Sequence, residues 1–280
     1  MNLLCTRWIH VLISCLLLTF SPIIDADETV QDSRPVLTPK EMNEKLLLTT
    51  ATGVAAITVW GVLKWDYFTV SPHAESEDWF GNDTSSGGAD KLGHMFTSYV
   101  ATHGLAALYK HWDFDQDDAA LYGAMSSFII MGYMEFGDSF SNYGLSGEDL
   151  VANTAGALWG YLTYRDPVLT SRIDFRWEYG IHPTQTDLVT DYENSKYLFA
   201  LKLNGFERFQ DSWMKHLEFH LGYYTRGFQD DEPDRERNLY VGLGFNLTDM
   251  FARHGYRKTA TALRYLQVPG TYLRLDHDLN

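Results

Sequence analysis

From residue 46 to residue 164 the chain runs as four apolar stretches separated by short polar segments. Leu46 to Leu63, LLLTTATGVAAITVWGVL, is close to the length of a membrane span and equally fits the core helix of a soluble bundle. Its small residues (Ala51, Gly53, Ala55, Ala56, Gly61) favour close helix approach. Trp60, Trp65 and Tyr67 gather at its end, as interfacial aromatics do. Thr38-Pro39-Lys40-Glu41 supplies a helix start, with Thr38 as N-cap, Pro39 at the first position and Glu41 at the third. A second helix is predicted from Asp90 to about Tyr109 and a third from about Asp117 to Phe136. A fourth runs from Glu148 to about Tyr164, where Asp166-Pro167 stops it. Residues 71–88 are polar and glycine-rich and read as a loop, and Gly144 to Gly147 reads as a turn.

Beyond residue 167 the period changes to two. Ile173, Phe175, Trp177 and Tyr179 alternate with polar residues, and so do Tyr197, Phe199, Leu201 and Leu203. Leu217 to Tyr223 and Leu239 to Leu247 repeat the pattern, and Tyr272 to Leu279 adds a last candidate strand. Asp230-Asp231-Glu232-Pro233-Asp234 reads as a hairpin loop. Such strands have one apolar face. They build either an antiparallel sheet laid on the helices or part of a membrane β-barrel; a single-chain barrel usually needs about eight strands or more, which favours the sheet. The expected fold class is therefore α+β: a four-helix apolar bundle over 45–166, then an antiparallel β-rich region over 167–280.

The N-terminus refines this. Arg7 followed by the apolar run Ile9 to Ile24, with Ile24-Asp25-Ala26 before Asp27, has the form of an export signal over 1–26. Residues 27–44 are polar, contain Pro35 and Pro39, and read as a linker. Leu12-Ile13-Ser14-Cys15 also has the form of a lipoprotein cleavage box, although Leu16-Leu17-Leu18 continues the apolar run beyond it. Both cysteines, Cys5 and Cys15, lie in this segment, so a chain processed near Ala26 has no thiol for disulfides or metal binding. The net charge of −15 argues against nucleic acid as a partner and against broad electrostatic adhesion to anionic lipid.

Three polar clusters interrupt the apolar helices: Asp90-Lys91-Leu92-Gly93-His94, Glu135-Phe136-Gly137-Asp138, and Glu148-Asp149 with Asn153 and Gly156. Asp90 and His94 are four apart, as are Asp149 and Asn153, so each pair shares a helix face. Charge is costly to bury unless paired, so the clusters predict one shared polar site of Asp90, Lys91, His94, Glu135, Asp138, Asp149 and Asn153. His94 is the candidate proton acceptor or ligand, with Asp90 fixing its orientation; Glu135 and Asp149 complete the candidate catalytic set. No cofactor is expected, a divalent metal being the one the acids and histidine would accommodate; no HExxH spacing is present. A satisfied network that pins helix register is the structural alternative. His73, His103, His111, His216 and His220 lack partners at helical spacing and are expected to do no chemistry.

DKLGH, then Glu135, then EDLVANTAGALWGYL resembles the VanZ-like membrane proteins over about residues 90–160. Asp138 stands where a glutamine is often seen in that pattern, and the basic residue before the last motif is absent. HLEFHLGYYTRGF, RNLYVGLGFNLTDMF and LRYLQVPGTYLRLD resemble the YfiM-like family of predicted periplasmic lipoproteins. The resemblance implies an exported protein of a Gram-negative type envelope, periplasmic and associated with the outer membrane. The functional expectation is an envelope protein that binds a membrane lipid or a lipid-linked glycan precursor. The alternatives are a metal- or acid–base-assisted enzyme acting on an envelope lipid head group, and a structural partner of other envelope proteins in an outer-membrane assembly.

Overall fold

The computed structural model describes residues 37–180, 190–228 and 234–280. The export signal, most of the linker, the candidate lipidation site at Cys15 and most of the 230–234 loop lie outside the described residues.

Four long helices form the first half: α1 (Pro39–Lys64), α2 (Ala89–His111), α3 (Gln116–Asp138) and α4 (Gly147–Arg165). Thr38 closes a reciprocal cap at the start of α1. Its backbone N–H donates to Glu41 Oε2 at 2.9 Å, and the Glu41 N–H donates to Thr38 Oγ1 at 3.3 Å. The helix therefore begins at Pro39, and residues 39–44 of the expected linker belong to it. Asp115 and Ser146 cap α3 and α4 more simply, each side chain accepting one backbone N–H, from Asp118 and Asp149.

The helices approach closely where small residues meet. A Cβ added at Gly123 would stand 2.7 Å from Ala106 Cβ, so α2 and α3 are nearly in backbone contact. A Cβ at Gly156 would run into the backbone carbonyl of Met95, which brings α4 equally close to α2. α1 lies along α3 through Gly53 on Ile130 and a Thr58–Tyr133 hydroxyl contact of 2.9 Å. Its other side is bare: Leu47, Leu48, Val59, Val62 and Leu63 are exposed. Among the described residues it is the one helix long and apolar enough to cross a membrane.

Asp166 ends α4 and caps α5 (Pro167–Arg172), so the expected stop is also a new start. A five-stranded antiparallel sheet follows in the order β1 (Ile173–Tyr179), β2 (Ser195–Lys202), β3 (Leu217–Arg226), β4 (Glu236–Phe245), β5 (Tyr272–Asp278). Among the described residues the sheet is open and closes into no barrel. Two short helices, α6 (Leu247–Arg253) and α7 (Arg257–Leu263), separate β4 from β5. Leu247, expected to end the fourth strand, begins α6 behind the Asn246 cap. After α7 the chain meets the free edge of β1, where the Trp177 N–H donates to the Tyr265 carbonyl at 2.8 Å; it then enters β5 on the opposite edge.

Only part of the sheet lies on the helices as expected. Phe96 and Tyr99 of α2 pack on Phe175 and Tyr197, and Trp159 of α4 meets Phe199 edge-on at 5.6 Å. The row Phe175, Phe199, Leu221, Val241, Leu275 continues this apolar face across all five strands. Beyond β2 it is uncovered: Leu221 is 50% exposed, Val241 54% and Leu275 76%. The opposite, charged face is the buried one. Arg176 is held there by Glu218 and Asp174, Lys202 by Asp174, and Gln267 and α6 close over them. In β3 and β4 the sheet is thus inside-out relative to a soluble domain, which buries its apolar face, while β5 is exposed on both faces.

Candidate functional site

The loop before α2, the start of α2, the end of α3 and the start of α4 place seven ionisable groups together. Lys91 is 2% exposed and is the hub. Its Nζ lies 2.5 Å from Glu77 Oε2, 2.7 Å from Asp90 Oδ2 and 3.0 Å from Asp149 Oδ1. Beside it, His94 Nδ1 lies 3.2 Å from Glu135 Oε1 and His94 Nε2 lies 3.9 Å from Asp149 Oδ1. The Nδ1 contact is an ion-pair approach without the alignment of a hydrogen bond. The Asn153 amide donates to Glu135 Oε1 at 3.0 Å, and Ser98 donates to Asn153 Oδ1 at 2.8 Å. Asp138 faces the hydroxyl of Tyr67, at the end of the group.

The structure therefore brings Asp90, Lys91, His94, Glu135, Asp149 and Asn153 to one place, with Asp138 at its margin. One expected role is corrected. Asp90 does not orient His94: its carboxylate turns to the adjacent Lys91, because an ammonium at 2.7 Å outcompetes an imidazole one turn away. The partners of His94 come from α3 and α4.

The electrostatics follow from five carboxylates meeting one lysine and one histidine. Burial would lower the pKa of His94, but Glu135 and Asp149 outweigh it and push it up to about 9. Burial pushes Glu77 up to about 7 against the pull of Lys91. Burial, reinforced by the Glu135 charge, pushes Asp138 up to about 7. Burial would raise Asp90, but Lys91 beside it holds its carboxyl below the usual value. His94, Glu135 and Asp149 each offer one ligand atom, all within 4.8 Å of one another, from three different helices. That set of one imidazole and two carboxylates suits a divalent transition cation. Glu77, Asp90 and Asp149 are equally close to one another, but Lys91 already provides their positive charge.

The β-rich half closes the site from above. Tyr223 donates to the Gly87 carbonyl at 2.5 Å, just ahead of α2. The Tyr192 ring presses on Gly93, where a Cβ would stand 2.8 Å from its Cε1. Glu77, Ser98, Tyr67 and Tyr192 were not legible as site residues. Ser98 does carry a signal, since it extends the Asp90–His94 stripe by one turn. Glu77 sits in a loop with no periodicity to betray it. Two histidines set aside for lack of partners are in fact buried and held from distant parts of the chain. His103 Nδ1 meets Tyr265 at 2.8 Å and its Nε2 meets Thr163 at 2.9 Å; His220 Nε2 meets Glu218 at 2.9 Å.

Residues 76–165 match a family model described as "Predicted periplasmic lipoprotein (DUF2279)". The match covers about a third of the chain and contains every residue of the site except Tyr67, Tyr192 and Tyr223. It falls on the helical half, whereas the lipoprotein-like stretches quoted from the sequence lie in the β-rich half. The family's description supports an exported, periplasmic protein of the cell envelope. No curated protein and no solved structure matches the chain.

Proposed function

We propose that this protein is a membrane-seated component of the envelope, facing the periplasm at the outer membrane, that binds lipid or a lipid-linked envelope precursor. The observation that carries the reading is the inside-out sheet. A face bearing Phe219, Leu221, Val241, Leu243, Leu273 and Leu275 is exposed, while Glu218 on the other face is 1% exposed. Strands with apolar residues outward and charged residues inward are the pattern of lipid-facing outer-membrane strands. The bare side of α1 and the exposed Leu158 and Leu162 of α4 support the same environment. The YfiM-like and VanZ-like resemblances agree with this placement.

Vesicle flotation tests it. The full chain should float with phospholipid vesicles, and carbonate or high-salt washes should leave it in the envelope pellet, because the attachment is apolar rather than ionic. Replacing Leu221 and Val241 together by lysine should weaken flotation about tenfold or more, since each buried aliphatic side chain is worth about 1.5–3 kcal/mol. Release of the parent protein by salt alone contradicts the reading.

A second reading has its own observation, the His94–Glu135–Asp149 constellation. With a divalent cation there, the site would supply a Lewis acid for hydrolysis or transfer at an envelope lipid head group. Elemental analysis of the purified protein tests this: a stoichiometric divalent ion that is lost in both His94→Gln and Asp149→Asn supports it, and an unaltered metal content in those variants removes it.

A further inference from the structure

A second polar site lies on the other side of α2. A cavity of about 610 Å³ is lined by His103 of α2, Thr163 of α4, Thr170 and Ser171 of α5, Lys202 of β2 and Arg264 after α7. That volume is in the range of small-ligand sites. The cavity shares no residue with the Lys91–His94 cluster.

Arg264 is the informative residue. Its Nε is sealed from solvent and meets no acceptor. Among the described residues no carboxylate forms an ion pair with it, and its side chain makes no hydrogen bond. Asp174, the acid whose charge acts on Arg264, is already engaged: Oδ1 accepts from Lys202 Nζ at 2.7 Å and Oδ2 from Arg176 Nη2 at 2.8 Å. Glu218 is taken by Arg176 and His220. Three cations thus share two acids, and the charge left over is the one that lines the cavity. Buried charges in proteins are normally paired, so a guanidinium that lines a cleft, with no bonded acid and only the shared field of Asp174 and the Tyr265 and Tyr99 hydroxyls, has room for an anion of its own. The rest of the chain makes this stand out, since acids outnumber lysine and arginine 37 to 22.

We propose that this cavity binds a phosphate-class oxyanion, either free or as the head group of a phosphorylated lipid. The planar guanidinium of Arg264 would take two oxygens as a fork and Lys202 would add a point charge; Thr170, Ser171 and Thr261 also line the wall, their hydroxyls already donating to the carbonyls of Thr163, Val168 and Arg257.

The experiment uses the full chain in nonionic detergent and phosphate-free buffer, with thermal unfolding and calorimetry as readouts. Inorganic phosphate is titrated in one arm. Phosphatidylglycerol is titrated in mixed micelles in the other, against micelles carrying diacylglycerol instead. A saturable rise in Tm with phosphate assigns the site to the free anion. A rise with phosphatidylglycerol alone assigns it to a lipid head group. Either response should weaken at least about tenfold in Arg264→Gln and fall between the two in Arg264→Lys, which keeps the charge and loses the fork. In phosphate-free buffer Arg264→Gln should unfold close to the parent's temperature, because no side-chain hydrogen bond or ion pair among the described residues is lost. A parent protein that responds saturably to neither ligand overturns the proposal. So does a response that Arg264→Gln leaves unchanged, or an Arg264→Gln protein that melts well below the parent without ligand, which would make the arginine a structural group.

Discussion

Nδ1 of His94 on α2 lies 3.2 Å from Oε1 of Glu135 on α3, and that same oxygen accepts the Asn153 amide of α4 at 3.0 Å. One carboxylate oxygen thus ties three helices together. Groups sharing a partner in this way do not contribute independently. In a double-mutant cycle, Glu135→Gln and His94→Gln should show a coupling of about 0.5–3 kcal/mol in thermal or denaturant unfolding. Strict additivity of the two would mean that the contact contributes nothing to the fold.

Lys91 neutralises three carboxylates at once, so its loss should be the most damaging single change at the site. Lys91→Met should cost about 3–5 kcal/mol at pH 8, the range for removing one partner of a buried pair. The pH dependence has a definite sign. Without the ammonium, Glu77 and Asp90 lose the charge that opposes their burial, so their folded pKa values move up. Carboxyls shifted that way stabilise the fold at low pH and lose that contribution as pH rises through the folded pKa. Glu77 is already held at about 7 in the parent protein. The gap in Tm between Lys91→Met and the parent should therefore shrink between pH 8 and pH 5. A gap that stays constant would show that Lys91 is not the counter-charge.

The helical half and its site were legible because one periodicity carried both. Residues spaced four apart had to share a face, and Asp90, His94, Asp149 and Asn153 did so on adjacent helices. The Thr38 cap and the Asp166-Pro167 break were local chemistry and appear where the sequence placed them. Glu77 was invisible because it reaches Lys91 from a loop, and Asp90 was misassigned because spacing says which face a side chain shares but not which neighbour it prefers. The strands were legible from their alternation, yet alternation has no sign. It separates an apolar face from a polar one without saying which is buried, and here Glu218 and Arg176 went inside while Leu221 and Val241 stayed out. The α6 and α7 helices were missed because seven residues is too short for a helical period to declare itself against the preceding strand.

His103 sets an acid limit on the fold. Burial, aided by the nearby Arg264 charge, lowers its pKa to about 3, with the Gly160 carbonyl and Asp174 opposing. It is therefore neutral in the native protein, taking a hydrogen bond from Tyr265 and giving one toward Thr163. A free histidine titrates near 6.5, so between pH 6.5 and 3 the unfolded chain binds the extra proton and the folded chain does not. The contribution is complete above pH 6.5 and is lost as pH falls through this window. Its total is of the order of 5 kcal/mol, at about 1.4 kcal/mol per pKa unit. His103→Gln should flatten the fall of Tm between pH 6.5 and 4 without changing the slope above pH 7. An unchanged acid limb in His103→Gln would place the sensitivity elsewhere.

Gly156 links helix packing to the site. Its Cα stands against the carbonyl of Met95, the residue after His94, and it lies one turn beyond Asn153 on α4. A single added methyl has nowhere to go, because the obstacle is backbone rather than the end of a flexible side chain. Gly156→Ala must push α4 away from α2, and overpacking of this kind costs about 1–3 kcal/mol. The displacement acts directly on the distances from His94 to Asp149 and from Ser98 to Asn153, so metal retention or ligand response at the site should fall together with stability. Gly147→Ala is the control, at the first turn of the same helix, where an added Cβ meets nothing within 4 Å. That change should be neutral or stabilising by up to about 1 kcal/mol, as the alanine restricts only the unfolded chain. Equal melting temperatures for Gly156→Ala and Gly147→Ala would mean that α2 and α4 are not in backbone contact, and the shared site between them would lose its structural basis.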